Sequence, residues 1–131
     1  MKQVLLIGII ILAFSCSKKE NPIVGVWNVD SKFYKATYQI LEQEDATKAF
    51  VLYYNDDTTI YKYEKGQPKH YFLKNLKQEE SIYVDAISGA TNTEASTQNT
   101  TLKNLSKDTL EVTSYIQHTP IKEYWIRASS Y

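Results

Sequence analysis

From Ile23 onward, apolar and polar residues alternate with a period of two, the spacing of a strand buried on one face. The pattern predicts about nine short strands, over residues 24–29, 34–41, 50–54, 58–63, 70–73, 82–87, 100–105, 110–116 and 121–128. Polar punctuation separates them at 42–47, 55–57, 65–68, 77–80, 106–108 and 118–120, with a longer Ser/Thr/Asn/Gly-rich loop at 88–99. Asn55, Asp56 and Asp57 fit a turn because their side chains bond the local backbone. Residues 42–47 are read as a turn, or as one helical turn given their Glu and Ala. No helical period competes elsewhere after Ile23. The expectation is an all-β domain, a small antiparallel up-and-down barrel of about 8–9 strands. Closure would remove the sheet edges that otherwise template aggregation.

A different pattern precedes this domain. Lys2 is followed by an apolar run from Val4 to Phe14, interrupted at Gly8. A spanning helix needs about 20 apolar residues, so the run fits the hydrophobic region of a signal peptide. The chain has one cysteine, Cys16, directly after this run, and then a polar stretch ending at Asn21-Pro22. One cysteine excludes an internal disulfide and a Cys-cluster zinc site.

Composition narrows the function classes. The chain has 131 residues, enough for one domain, with 15 basic and 15 acidic side chains. A nucleic-acid binder carries a basic excess or stripe, so nucleic acid is not an expected partner. Mean hydropathy is −0.42 even with the apolar N-terminus included. Aromatics are abundant, with eleven Tyr, four Phe and two Trp.

The segment Leu12-Ala13-Phe14-Ser15-Cys16 resembles the lipobox of bacterial lipoproteins, in the relaxed form common in Bacteroidota. Ala13 stands where Leu is usual and Phe14 where a small residue is usual. The resemblance implies that Cys16 is acylated and becomes the mature N-terminus. A free periplasmic protein cleaved near Ser15 is the alternative. The expected organisation is a signal peptide over 1–15, a lipidated cysteine and tether over 16–22, and the β-domain over 23–131. Ser17 lacks the inner-membrane retention Asp of enterobacterial lipoproteins, which points to the outer membrane of the bacterial cell envelope. Lys18-Lys19-Glu20 is similar to charged surface-export signals, or is a solvated tether.

Gly25-Val26-Trp27 on the first strand and Tyr124-Trp125-Ile126-Arg127 on the last resemble the lipocalin-like (calycin) arrangement. There, a late Arg packs across the Trp of a G-x-W and closes the barrel base. The resemblance implies that Gly25, Trp27 and Arg127 form a structural group. The alternative for Arg127 is a surface charge. Residues 50–61 also resemble the hydrophobic-Asp-Gly-Thr hairpin of small bacterial lipocalin-like domains, with Asp57 in place of Gly, and residues 105–110 resemble their late hairpin.

No catalytic constellation emerges: there is no nucleophile elbow, metalloprotease helix, P-loop or dinucleotide fingerprint. His70 and His118 lie on separate elements, and Asp56-Asp57 lack the rest of a calcium loop. Neither a metal nor a cofactor is expected, and the protein is read as a non-enzyme. The aromatics carry the functional hint, since Tyr lines a cavity with an apolar ring and a polar tip. Candidate ligand-lining residues are Tyr38, Phe50, Leu52, Tyr54, Tyr61, Tyr63, Phe72 and Trp125, with Phe50, Leu52 and Tyr54 placed on one face. The first functional reading is a lipid-anchored carrier of a small hydrophobic or amphipathic molecule. The second is an interaction module that docks a protein or glycan through its surface or the 88–99 loop.

The anchor is directly testable. Cys16→Ala should move the protein from the membrane fraction to the soluble fraction, read by fractionation and immunoblotting; unchanged membrane association would refute lipidation at Cys16.

Overall fold

A computed structural model describes residues 21–85 and 99–129. Ten antiparallel strands follow in chain order among these residues. They are β1 (Gly25–Asp30), β2 (Lys35–Gln43), β3 (Ala46–Asn55), β4 (Ile60–Lys62), β5 (Tyr71–Leu73), β6 (Leu76–Glu79), β7 (Ile82–Asp85), β8 (Thr101–Ser106), β9 (Thr109–Ile116) and β10 (Thr119–Arg127). The hydrogen-bonded order is β4-β3-β2-β1-β10-β9-β8-β7-β6, with β5 on β3 beside β4. The all-β class and the antiparallel order are as the alternation predicts.

Two expectations change. The count is ten strands, because residues 76–79 form β6 where a turn was expected, and the turn tightens to Glu80-Ser81. Residues 42–47 likewise hold only a two-residue reversal, Glu44-Asp45, both with positive φ (52° and 64°), so β2 and β3 run to its edges. Positive φ at both central positions matches the right-handed twist of the flanking strands. Gln117-His118 repeats the device between β9 and β10.

The second change concerns closure. The ladder does not join into a closed barrel. β5 pairs with β3 and β6 pairs with β7, although the two segments are separated only by Lys74 and Asn75. At that break the strand leaves one edge for the other, and no continuous ladder spans β3 and β6. The amides of Lys74 and Asn75 instead donate to Asp85 Oδ1, at 3.3 and 3.0 Å. β3 and β6 still approach each other. An open cleft of about 530 Å³ lies beside the gap, where Thr47, Leu76, Gln78 and Tyr83 contribute to its wall.

The sheet curls around one core. Trp27, Tyr38, Ile40, Ala49, Leu73, Leu76, Tyr83, Leu102, Leu110, Val112 and Trp125 are buried in it, and Tyr34, Val51, Tyr54 and Phe72 pack against it. A β-bulge at Leu52 decides which β3 residues join. Tyr38 opposes Val51 and Thr37 opposes Tyr53, so Leu52 is the extra residue. A bulge reverses the alternation beyond it. Val51 and Tyr54 therefore both meet the core, whereas Phe50 and Leu52, also buried, lie outside that cluster. The expected shared face for Phe50, Leu52 and Tyr54 is thus corrected.

Asp85 is fully buried and holds the strand break together. Removing an acceptor while leaving its donors buried costs about 1–3 kcal/mol. Asp85→Ala should lower unfolding free energy by about that amount in denaturant melts, and Asp85→Asn, which keeps one carbonyl oxygen, by less. Equal stability of Asp85→Ala and the parent would show that the break does not depend on this carboxylate.

Candidate functional site

Three groups of side chains concentrate the chemistry of the described residues. The first closes the base of the curled sheet. Trp27 and Arg127 are register partners on β1 and β10, and the guanidinium lies 4.2 Å from the Trp27 ring centroid. Arg127 donates from Nη1 to the Val24 carbonyl (3.0 Å), from Nη2 to the Pro22 carbonyl (2.8 Å) and from Nε to the Lys107 carbonyl (3.0 Å). Trp27 Nε1 donates to the Ile23 carbonyl at 2.9 Å. Gly25 has φ of +146°, and a Cβ there would fall 2.3 Å from Arg127 Nη1. Both the backbone angle and the space therefore require glycine. The donors of Arg127 are used on backbone carbonyls, so this group is structural.

The second group lies toward the other rim. β1 pairs with β10 only at Trp27–Arg127 and Asn28–Ile126, then the strands part. The Tyr34 hydroxyl bridges the gap by donating to Glu123 Oε2, and Trp125 Nε1 donates to the same oxygen at 3.4 Å. Tyr34 stacks on Tyr54 with ring centroids 5.4 Å apart, while Tyr38 contacts both Phe72 (4.6 Å) and Trp125 (4.8 Å). Burial first, then the bond to Glu123, pushes the Tyr34 phenol well above its ordinary range. Burial pushes Tyr38 up to about 12. The Tyr54 hydroxyl donates to Asp56 at 2.9 Å, which raises the Tyr54 pKa. The amides of Thr58 and Thr59 and the Thr58 and Tyr54 hydroxyls lower that of Asp56 to about 2.

The third group is on the outer face of β3. Between β4 and β5 the chain leaves the sheet as an excursion over residues 63–70. It is pinned by Tyr63 N–H to the Leu52 carbonyl (2.8 Å) and Val51 N–H to the His70 carbonyl (3.1 Å). Tyr63 and Tyr71 meet the Phe50 ring at centroid distances of 5.6 and 5.8 Å, and Lys69 Nζ lies 5.1 Å from it. Next to this cluster, Ala46, Lys48, Tyr71, Lys74 and Asn75 line an open cleft of about 390 Å³. The Tyr71 hydroxyl donates to Gln43 Oε1 at 2.7 Å, which fixes the ring, and Lys48 Nζ is 5.4 Å from its centroid.

The eight expected lining residues are therefore divided. Tyr38, Tyr54, Phe72 and Trp125 belong to the core or pack against it, and Phe50, Leu52 and Tyr63 to the outer β3 face. Tyr61 pairs with Tyr54 on β4, and its ring meets His70 edge-on at 5.0 Å. The structure does not bring the eight together around one cavity. Cys16 and loop residues 88–98 lie outside the described residues. Tyr34, Tyr71, Asp85 and Glu123 were not singled out by sequence. Glu123 was accessible to parity, since Ile121, Glu123, Trp125 and Arg127 alternate on one face. Asp85 shares parity with Tyr83 in the same way. Tyr71 carried no such clue.

Among the described residues, no group of three or more His, Cys, Asp and Glu side chains converges as a metal site. Comparisons with family models, curated proteins and solved structures find no match for this chain.

The buried phenols set an alkaline limit on stability. A phenol whose pKa is higher in the folded state keeps its proton longer there than in the unfolded chain. Its contribution is fully present below pH about 10, the ordinary Tyr value, and declines as pH rises toward the folded value. Stability should therefore fall between pH 10 and about 12, the folded value for Tyr38. Tyr38→Phe should flatten that part of the profile in denaturant melts; an identical slope in parent and variant would show that Tyr38 does not titrate with unfolding.

Proposed function

We propose that this protein is a lipid-anchored, non-enzymatic docking module of the bacterial outer membrane, an open variant of the lipocalin-like arrangement that binds a glycan on its outer face. The single observation that carries the reading is how the space inside the sheet is used. Trp27, Tyr38, Phe72, Leu102, Leu110 and Trp125 fill it with rings and branched chains in mutual contact. A carrier of small hydrophobic molecules needs an enclosed cavity of about 300–1,000 Å³. The larger depressions among the described residues are instead open and superficial.

The Tyr71 cleft suits a glycan best. Tyr71 is fixed and half-exposed with Lys48 Nζ over its ring, so a sugar at the cleft would meet an aromatic ring and a cation together. Lys48, Lys74 and the side-chain amide of Asn75 bring donors for hydroxyl or carboxylate oxygens to the cleft. The ladder holds Lys48 on β3 and Tyr71 on β5, and the short strand break supplies Lys74 and Asn75.

The test is binding of purified, lipidated protein to surface polysaccharide and peptidoglycan fractions from its host. At least one fraction should bind, and Tyr71→Ala should weaken that binding about fivefold, equivalent to about 1 kcal/mol of stacking. Native mass spectrometry of the same preparation supplies the opposing outcome. A retained small hydrophobic molecule, with no polysaccharide binding, would overturn the docking reading in favour of a carrier.

A further inference from the structure

The outward-facing positions of β8, β10, β1 and β2 change character from one end of the sheet to the other. Toward the base they include Leu105, Tyr124, Ile126, Val26 and Leu41, with Val24 just before β1. Leu105, Ile126 and Tyr124 are 47%, 49% and 52% exposed. Toward the opposite rim the outward positions on β9, β10, β1 and β2 become Thr113, Lys122, Asp30 and Lys35. The register interleaves this set with polar positions: Ile126 lies between Asn28 and Thr109, Thr109 faces Ser106 beside Leu105, and Tyr124 faces Glu111. Val26 faces Gln39, one outward position from Leu41. Exposed apolar groups gathered in this way mark an interaction surface.

Where the chain leaves the domain says what lies against that surface. Arg127 binds the carbonyls of Pro22 and Val24 and so fixes the N-terminal exit at the base, beside the apolar set. Six peptide steps separate Pro22 from Cys16, a reach of at most about 20 Å. An acyl anchor on Cys16 would thus hold this end of the domain, and not the other, at the bilayer. We propose that the apolar lower half of the β8-β10-β1-β2 outer face rests on the lipid surface, an inference that depends on the anchoring reading of Cys16. Tyr124 suits the headgroup level, where a ring and a hydroxyl are both accommodated. Glu111, beside Tyr124, is paired with Lys122 at 3.7 Å, and exposed Lys107 at the base offers a cation to anionic headgroups alongside Asp108. The Tyr71 cleft lies on β3 and β5, outside the four strands that carry this face.

The experiment uses the full lipidated chain in phosphatidylethanolamine/phosphatidylglycerol vesicles that carry a headgroup spin label. Because Cys16 is the only cysteine, an added one is the only free thiol for a fluorophore once Cys16 is acylated. Thr109→Cys reports beside Ile126, and Lys35→Cys reports at the opposite rim. Quenching should be several-fold stronger at 109 than at 35. Combining Leu105→Glu with Ile126→Glu should reduce it to the level at 35 while flotation with vesicles persists. Equal quenching at both positions in floating protein would overturn the orientation and leave the anchor intact, as would a stronger signal at 35. Protein that fails to float would overturn the anchoring reading and this inference with it. Thermal melts check that the charged double variant is folded; if it is not, the comparison of the two label positions in the parent decides alone.

Discussion

The Arg127 guanidinium is the tie on which the base of this fold depends. It covers the buried Trp27 ring and satisfies carbonyls from Pro22, Val24 and Lys107. Those contacts join the segment before β1, the last strand and the β8–β9 turn, which are far apart in sequence. A cation over an aromatic face contributes from about 0.5 to about 2 kcal/mol, more as water is excluded. Hydrogen bonds from a charged donor add about 1.5–3 kcal/mol in favourable settings. The exposed Asp108 carboxylate, 3.9 Å from Nε, adds little beside them. The arrangement favours a residue without a side chain at Gly25, since a Cβ 2.3 Å from Nη1 would push the guanidinium off its carbonyls.

Because the base is tied this way, the rest of the β1–β10 seam is free to part. Above Asn28–Ile126 the strands no longer pair, and the opening is bridged by side chains. Glu123 accepts from Tyr34 and Trp125 there, so a carboxylate at an inward position is matched by donors. Pro120 at the start of β10 is tolerated for the same reason. It pairs only with Tyr115 of β9, and no β1 residue opposite it requires an amide donor. The break at Lys74-Asn75 is a second discontinuity, and Asp85 answers it as Glu123 answers the first. In both cases an acidic residue at an inward position takes up donors where strand pairing lapses.

How much of this was legible follows from period. The pairing of Trp27 with Arg127 was implied only by a short motif resemblance, whereas alternation located most strands because it depends on local pattern. It failed at Leu52, where one bulged residue reverses parity, so Tyr54 turned inward away from the face of Phe50 and Leu52. A bulge leaves no trace in a run such as Phe-Val-Leu-Tyr-Tyr, which is apolar or amphipathic on both faces. The strand break was equally hidden. Leu-Lys-Asn-Leu has the composition of a turn, and what keeps it tight is Asp85, ten residues further along. Glu123 and Asp85 were legible in principle, as acidic residues at inward parity. The Tyr71 cleft was not, because it depends on two segments of β3 and β5 brought together by a shifted register.

The bulge also explains how rings from several strands come to pack together in the core. With Val51 and Tyr54 both turned to the core, rings from β2, β3, β5 and β10 meet there. Phe50 and Leu52 are left outside, where they must be covered by something other than the core. Tyr63 and Lys69 of the excursion over residues 63–70, with Tyr71 of β5, lie against Phe50. That cover places fixed rings and cations on an outer surface rather than around a cavity. The reversal that fills the inside is thus the same event that builds the Tyr71 cleft.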